Sequence, residues 1–77
     1  MEIFSLKRDA QKTDRGEFAA FVVVAESEHG ARRLAALAAG NEGAFPWAFE
    51  AECARVGTAA PDVPLGILMG QYVPDYD

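Results

Sequence analysis

The feature that most constrains the fold of this chain is one continuous segment that reads as a strand followed directly by a helix. Residues 18–25, FAAFVVVA, are rich in β-branched and aromatic side chains, which favour a strand. After a short Glu-Ser-Glu link, a helix is predicted from Glu28 to about Ala39. Its apolar stripe recurs at helical spacing and consists of Ala31, Leu34, Ala35 and Ala38.

Both ends of this helix carry clear local signals. Ser27 is a good N-cap, because its hydroxyl can accept a hydrogen bond from a free N–H of the first turn. Glu26 and Glu28 lie where the positive end of the helix dipole favours carboxylates. Gly40 follows at the position where helices commonly end. Leu37 is expected at the border of the buried stripe, and Arg32 and Arg33 are expected to point outward.

The N-terminal part predicts a strand that pairs with this segment. Residues 2–8 read as a strand with Phe4 and Leu6 on one face and Ile3 on the other. Residues 9–16 are polar and predict a loop, and residues 17–25 then form the second strand, antiparallel to the first.

The middle of the chain is less determined by local pattern. Residues 44–49 read as a short strand interrupted by Pro46, which suits an edge strand or a strand start. Residues 50–56 favour a short helical turn, with an extended conformation as the alternative. Residues 57–64 predict a loop, and residues 65–73 predict a last strand in which Gly66 and Gly70 mark a bulge or a close neighbour.

These elements predict one α+β domain over residues 1–77, with a three- or four-stranded antiparallel sheet and one helix on one face, in the order β-β-α-β-β. Leu34 is expected among the most buried side chains, packed on Phe21 and Val23. Val22 and Val24 face away from the helix in this register. They therefore need cover from the C-terminal segment, from a second copy or from a target.

The net charge of −5 is unevenly distributed. Residues 1–15 carry four cations against three carboxylates, whereas from Asn41 onward Arg55 alone opposes six carboxylates. An acidic half of this kind repels nucleic acid and suits a basic partner surface, with simple solubility as the alternative. We therefore expect no direct nucleic-acid binding.

Cysteine usage and hydropathy indicate the compartment. Cys53 is the single cysteine, so no internal disulfide forms and a reducing environment is favoured. The N-terminus lacks the cationic and apolar regions of a signal peptide, and no apolar run approaches the ~20 residues of a membrane span. We expect a cytoplasmic protein without a membrane partner.

The residues offer little for catalysis. His29 and Cys53 are the only candidate pair of general base and thiol nucleophile. His29 is better interpreted as a surface histidine, and Cys53 as a buried, inert thiol. No zinc-ligand spacing, calcium loop or phosphate-binding glycine pattern occurs. We therefore expect no catalytic residues, no metal and no cofactor, and a protein that is not an enzyme.

Aromatic residues in the acidic half suggest protein contact instead. Phe45, Trp47, Phe49, Tyr72 and Tyr76 lie there, and aromatics beside carboxylates anchor well on a basic partner. The alternative is that Phe45, Trp47 and Phe49 close a thin core. The predicted partner-binding residues are Glu42, Trp47, Glu50, Glu52, Asp62, Tyr72, Asp75, Tyr76 and Asp77.

The chain resembles small proteins that are common in phage and prophage genomes. The resemblance is specific over residues 18–40, with the pattern FVVxAxSExxARxLA, and extends to Trp47 and to the Cys53–Gly57 spacing. In size, Ala/Gly-rich composition and acidity it is also similar to anti-CRISPR proteins of mobile elements. That resemblance implies a stoichiometric inhibitor that binds Cas subunits of a type I CRISPR surveillance complex in the host cytoplasm and excludes target DNA. The alternative is an accessory phage protein that forms a homodimer through its apolar sheet face.

Overall fold

A computed structural model of the chain describes residues 1–9, 13, 16–40 and 45–73 and shows a four-stranded antiparallel sheet. The strands lie in the order β3-β1-β2-β4, and one helix packs against the sheet. The α+β prediction is confirmed. The elements are β1 (Glu2–Lys7), β2 (Phe18–Ala25), α1 (Glu28–Ala39), a π-helical turn (Pro46–Glu50), β3 (Glu52–Thr58) and β4 (Gly66–Tyr72).

The two central strands pair as the sequence predicts. β1 runs antiparallel to β2, with Leu6 opposite Phe21 and Ile3 opposite Val24. Phe4 and Leu6 are buried, whereas Ile3, on the other face, is half-buried. The alternation of side chains along β1 therefore directs Phe4 and Leu6 to the helix side.

The predicted ends of α1 are confirmed. The Ser27 hydroxyl accepts a hydrogen bond of 3.1 Å from the N–H of Gly30, which satisfies one free donor of the first turn. At the other end Gly40 has φ 67°, a left-handed conformation that glycine adopts without strain, and its N–H donates to the carbonyl of Ala36.

The buried stripe of α1 is rotated from its predicted position. Ala31 and Ala35 are fully buried, but Leu34 is half-buried and Ala38 is exposed, so the predictions for these last two were wrong. The π-helical turn packs on the flank of α1 that carries Arg32. Arg32, expected to point outward, is half-buried on that flank.

Residues 45–50 are helical, which corrects the predicted strand. The N–H of Ala51 donates to the carbonyl of Pro46 at 2.7 Å, closing the turn across five residues. Proline is compatible with the first position of a helix because its ring fixes φ there and its missing N–H would have no partner. Pro46 thus begins a helical turn and does not interrupt a strand.

Residues 52–58 take the extended alternative, and the favoured helical turn was wrong. β3 pairs with β1, with Cys53 opposite Leu6 and Glu52 opposite Lys7. Backbone hydrogen bonds along the edge of β1 outweigh a weak local helical preference.

The last strand confirms Gly70 as a close neighbour of β2, but the bulge lies at Leu68, between the two glycines. The register between β2 and β4 shifts between Val22 and Val23, which marks a bulge in this pair. Gly66 has φ 147°, and Gly70 lies directly against Phe21. The core beneath α1 consists of Phe4, Leu6, Phe21, Val23, Ala25, Ala31, Ala35, Trp47 and Ala51.

The two valines of β2 that face away from α1 differ in burial. Val24 is fully buried and Val22 is half-buried. Because β3 and β4 lie at opposite edges, residues 59–65 must cross the sheet at the end that carries Val24. The N–H of Ala59 donates to the carbonyl of Met1 at 2.9 Å where this crossing begins. The chain's own crossing segment thus lies at the end of the sheet where Val24 is buried.

Candidate functional site

Strand β4 presents a group of exposed apolar side chains at a free edge of the sheet. We call this group the β4 surface. Met69 is 67% exposed and Ile67, the least exposed of the set, is 38% exposed. Exposed apolar surface is a candidate site for contact with another protein. The β4 surface consists of Leu65, Ile67, Leu68, Met69 and Tyr72.

The two edges of the sheet differ in charge. Residues 63–73 contain no charged side chain, whereas β3 carries Glu52 and Arg55, and Arg55 forms an ion pair with Glu2. Charges on an edge strand discourage pairing with another chain, and β4 lacks this protection. In the described part of the chain β2 is its only strand neighbour, so the outer backbone groups of β4 are available for pairing.

The sheet face opposite α1 extends this apolar area. Val22 lies opposite Met69 across the β2–β4 pair, and it is half-buried. At the other edge Ala54 and Val56 are exposed beside a shallow depression of about 200 Å³. The face away from the helix is therefore covered at Val24 and open further along.

A second candidate site is the groove between α1 and the π-helical turn. It encloses about 400 Å³, within the range of ligand pockets in proteins. We call it the α1 groove, and it is lined by His29, Arg32, Arg33, Ala36, Leu37, Gly40, Ala48 and Phe49.

The α1 groove combines apolar walls with cations. Leu37 is 71% exposed and Phe49 is 75% exposed, and the ring of Phe45 lies 5.3 Å from that of Phe49. The reading of Phe45 and Phe49 as core residues was wrong. Arg33 is exposed at the same groove and has no ion-pair partner within the described residues.

Arg32 joins α1 to the π-helical turn. Its Nε donates to Oε2 of Glu28 at 2.9 Å. Its Nη1 donates to the carbonyl of Trp47, within the turn, at 3.1 Å and to that of Ala51, just after the turn, at 2.7 Å. Charged donors to such carbonyls are among the stronger hydrogen bonds in proteins. This contact sets one wall of the groove.

Trp47 is fully buried, which corrects its predicted place on a partner-binding surface. Its ring contacts Phe21 edge to face at 4.8 Å, and the guanidinium of Arg8 lies 5.9 Å from the ring centroid. The helical turn directs this side chain inward, so the alternative reading, that Trp47 closes the core, is the one the structure shows.

The other predicted contact residues do not form one surface. Glu50, Glu52, Asp62 and Tyr72 are all exposed. Glu52 and Tyr72 lie on opposite edges of four strands, about 14 Å apart across the sheet. Asp62 is in the crossing segment at the other end from Glu52. Glu42, Asp75, Tyr76 and Asp77 lie outside the described residues.

The side chain of Cys53 is half-buried. Burial raises the pKa of the Cys53 thiol, the Glu28 carboxylate raises it further, and Arg32 opposes both. A raised pKa leaves less of the reactive thiolate. Among the described residues no group of three or more His, Cys, Asp or Glu side chains could hold a metal ion.

Comparison of the chain with family models, with curated proteins and with solved structures found no match. No helix of the described residues is both long enough and apolar enough to cross a membrane. The resemblance to phage proteins therefore stays a prediction. The β4 surface and the α1 groove are the candidate functional sites.

Sequence reasoning named only Tyr72 of the β4 surface as a contact residue, and it missed the α1 groove. The uncharged run 63–73 is visible in the sequence, but only the strand order shows that it forms a free edge. The α1 groove depends on the π-helical turn, which the local pattern did not predict.

Proposed function

We propose that this chain is a non-catalytic protein-binding domain that docks on its partner through the β4 surface. The observation that carries this proposal is a free edge strand with exposed apolar side chains and no charge over residues 63–73. An extended segment of a partner can add to such an edge through backbone hydrogen bonds, while Leu68 and Met69 supply apolar contact.

The specific partner that we propose is a type I CRISPR surveillance complex in the bacterial host cytoplasm. The resemblance of residues 18–40 to phage proteins and the net charge of −5 support this choice. In this proposal the β4 surface contacts a Cas subunit. Exposed carboxylates such as Glu50 and Glu52 repel target DNA and are attracted to the cations that would bind it. The protein then acts as a stoichiometric inhibitor without a cofactor.

A gel-shift assay with a purified type I complex and its target DNA tests this proposal. The parent protein should prevent DNA binding at a molar ratio near that of the complex. The double variant Leu68→Lys, Met69→Lys should lose about tenfold or more in inhibition, because it places charge on the docking edge. The control is Ala38→Lys, Ala60→Lys, which places the same charges at exposed positions outside the sheet.

The possible outcomes distinguish an error in the proposed partner from an error in the proposed docking surface. If the parent leaves DNA binding of type I complexes unchanged, the CRISPR assignment is wrong. If the parent inhibits and the β4 double variant inhibits equally well, the docking surface is wrong. Circular dichroism of each variant confirms that the fold is retained.

The alternative is an accessory phage protein that forms a homodimer through its apolar sheet face. The open part of that face, where Val22 lies opposite an exposed Met69, favours it. Sedimentation equilibrium should then show a dimer that Met69→Lys dissociates, with no effect on CRISPR complexes. A monomer at every concentration tested would contradict this alternative.

A further inference from the structure

We propose that the α1 groove binds an amphipathic helix of a partner protein, one that carries acidic side chains beside its apolar face. This site is separate from the β4 surface and does not depend on the function proposed for it. The proposal has three supports: the shape of the groove, the sizes of its lining residues and its charge.

The shape of the groove suits a helical segment. Its lining residues on α1 recur three or four positions apart, from His29 through Arg33 and Leu37 to Gly40, and so form one stripe along the helix. At 1.5 Å per residue this stripe is about 16 Å long, or three helical turns. An elongated groove of that length matches the anchors that an amphipathic helix presents at successive turns.

The sizes of the lining residues allow a helix to approach closely. Ala36 and Ala48 are half-buried and small, and Gly40 has no side chain. Leu37 and Phe49 are large and more than two-thirds exposed, so they can pack on both sides of an inserted apolar side chain. Exposed anchors of this size around a small-residue base are typical of hydrophobic grooves that bind helices.

The charge of the groove determines the kind of helix. Arg33 is exposed without an ion-pair partner in the described part of the chain, and His29 is exposed one turn before it. Arg32 adds a second cationic side chain, although Glu28 already pairs with it. In a chain with net charge −5 these cations lie together beside an apolar groove. An acidic amphipathic helix therefore complements the site.

The test uses a designed peptide and the full chain. The peptide is a fluorescein-labelled helix of about 15 residues made of Leu, Ala and Glu, since much shorter isolated helices are marginal in water. Its control has Lys in place of every Glu. Fluorescence anisotropy measures the affinity, and backbone amide NMR shifts locate the site. A dodecanoate titration examines a small anionic amphiphile.

We expect saturable binding of the acidic peptide, at least about tenfold tighter than that of the Lys peptide, with amide shifts at Ala36, Leu37, Gly40 and Ala48. Leu37→Asp and Arg33→Glu should each weaken binding about tenfold. The matched controls are Val56→Asp, an exposed apolar site on β3, and Lys7→Glu, the same charge change on β1. Both controls should bind the acidic peptide as tightly as the parent protein does.

Several results would overturn the proposal. These are equal affinity for the two peptides, no saturable binding up to about 1 mM, or amide shifts confined to β4. Binding of dodecanoate without binding of the acidic peptide would assign the groove to a small molecule and would also overturn it.

Discussion

The phenyl ring of Phe21 occupies the space that a side chain would need at Gly70. A Cβ at Gly70 would lie 2.9 Å from Cε1 of Phe21 and 3.2 Å from Cε1 of Phe18. Phe21 is 2% exposed, and its ring centroid is 4.8 Å from those of both Phe18 and Trp47. The ring therefore cannot move aside freely, and this contact joins the free edge strand to the core.

Gly70→Ala should destabilise the fold by about 1–3 kcal/mol, because the added methyl group overpacks a well-filled site. The matched control is Gly57→Ala on β3, where the new Cβ would be 3.9 Å from Cδ1 of Ile3, an ordinary contact. Urea denaturation monitored by circular dichroism gives both free energies of unfolding. Equal stability of the two variants would show that the Phe21 ring adapts and that the site is not tightly packed.

Arg32 should contribute more to stability than its neighbour Arg33. Arg32→Ala removes the donor to the carbonyls of Trp47 and Ala51 and should cost about 1.5–3 kcal/mol, as for hydrogen bonds that involve a charged group. Arg33→Ala removes an exposed side chain and should change the free energy of unfolding by about 0.5 kcal/mol or less. Thermal melts of the two variants compare them directly.

A result in which Arg33→Ala is the more destabilising variant would contradict the role of Arg32. It would also show that these two hydrogen bonds do not hold the π-helical turn against α1.

Local signals were sufficient to predict the elements that contain their own start and stop residues. Ser27 and Gly40 define α1, and the period-two spacing of Phe4 and Leu6 defines β1, so both were predicted with nearly correct bounds. These signals act through neighbouring residues in the chain. Such local signals therefore predict an element without knowledge of its tertiary contacts.

The region from Phe45 to Thr58 could not be predicted because its conformation depends on distant residues. Pro46 is compatible with a strand start and with a first helical turn, and the hydrogen bonds from Arg32 stabilise the second. Pairing with β1 makes residues 52–58 a strand. The helical turn also buries Trp47, and this removes Trp47 from the predicted partner-binding surface.

The ionisation of Cys53 should make the fold less stable at alkaline pH. Burial raises the pKa of this thiol in the folded state, so the unfolded chain loses the proton at a lower pH, near the ordinary value of about 8.5. The contribution is fully present below that pH and is lost as the pH rises through the folded pKa. Cys53→Ala removes this ionisation.

Urea denaturation at about pH 7.5 and about pH 10 measures the effect. The parent should lose more free energy of unfolding between these two values than Cys53→Ala does. Tyrosine and lysine ionisation affects both proteins alike, so the comparison isolates the thiol. An equal loss in the two proteins would mean that the Cys53 pKa is not raised by folding.

Leu6 and Leu34 distinguish the observed core from the one expected from periodicity. Leu6 is fully buried beneath α1, whereas Leu34 is half-buried at the border of the core. Leu6→Ala should therefore cost about 2–5 kcal/mol, from lost transfer energy and a residual cavity. Leu34→Ala should cost only about 1–2 kcal/mol, because solvent already reaches part of the side chain. Urea denaturation measures both losses in the free energy of unfolding. Equal losses would mean that Leu34 lies in the centre of the core, in contradiction to its observed half-burial.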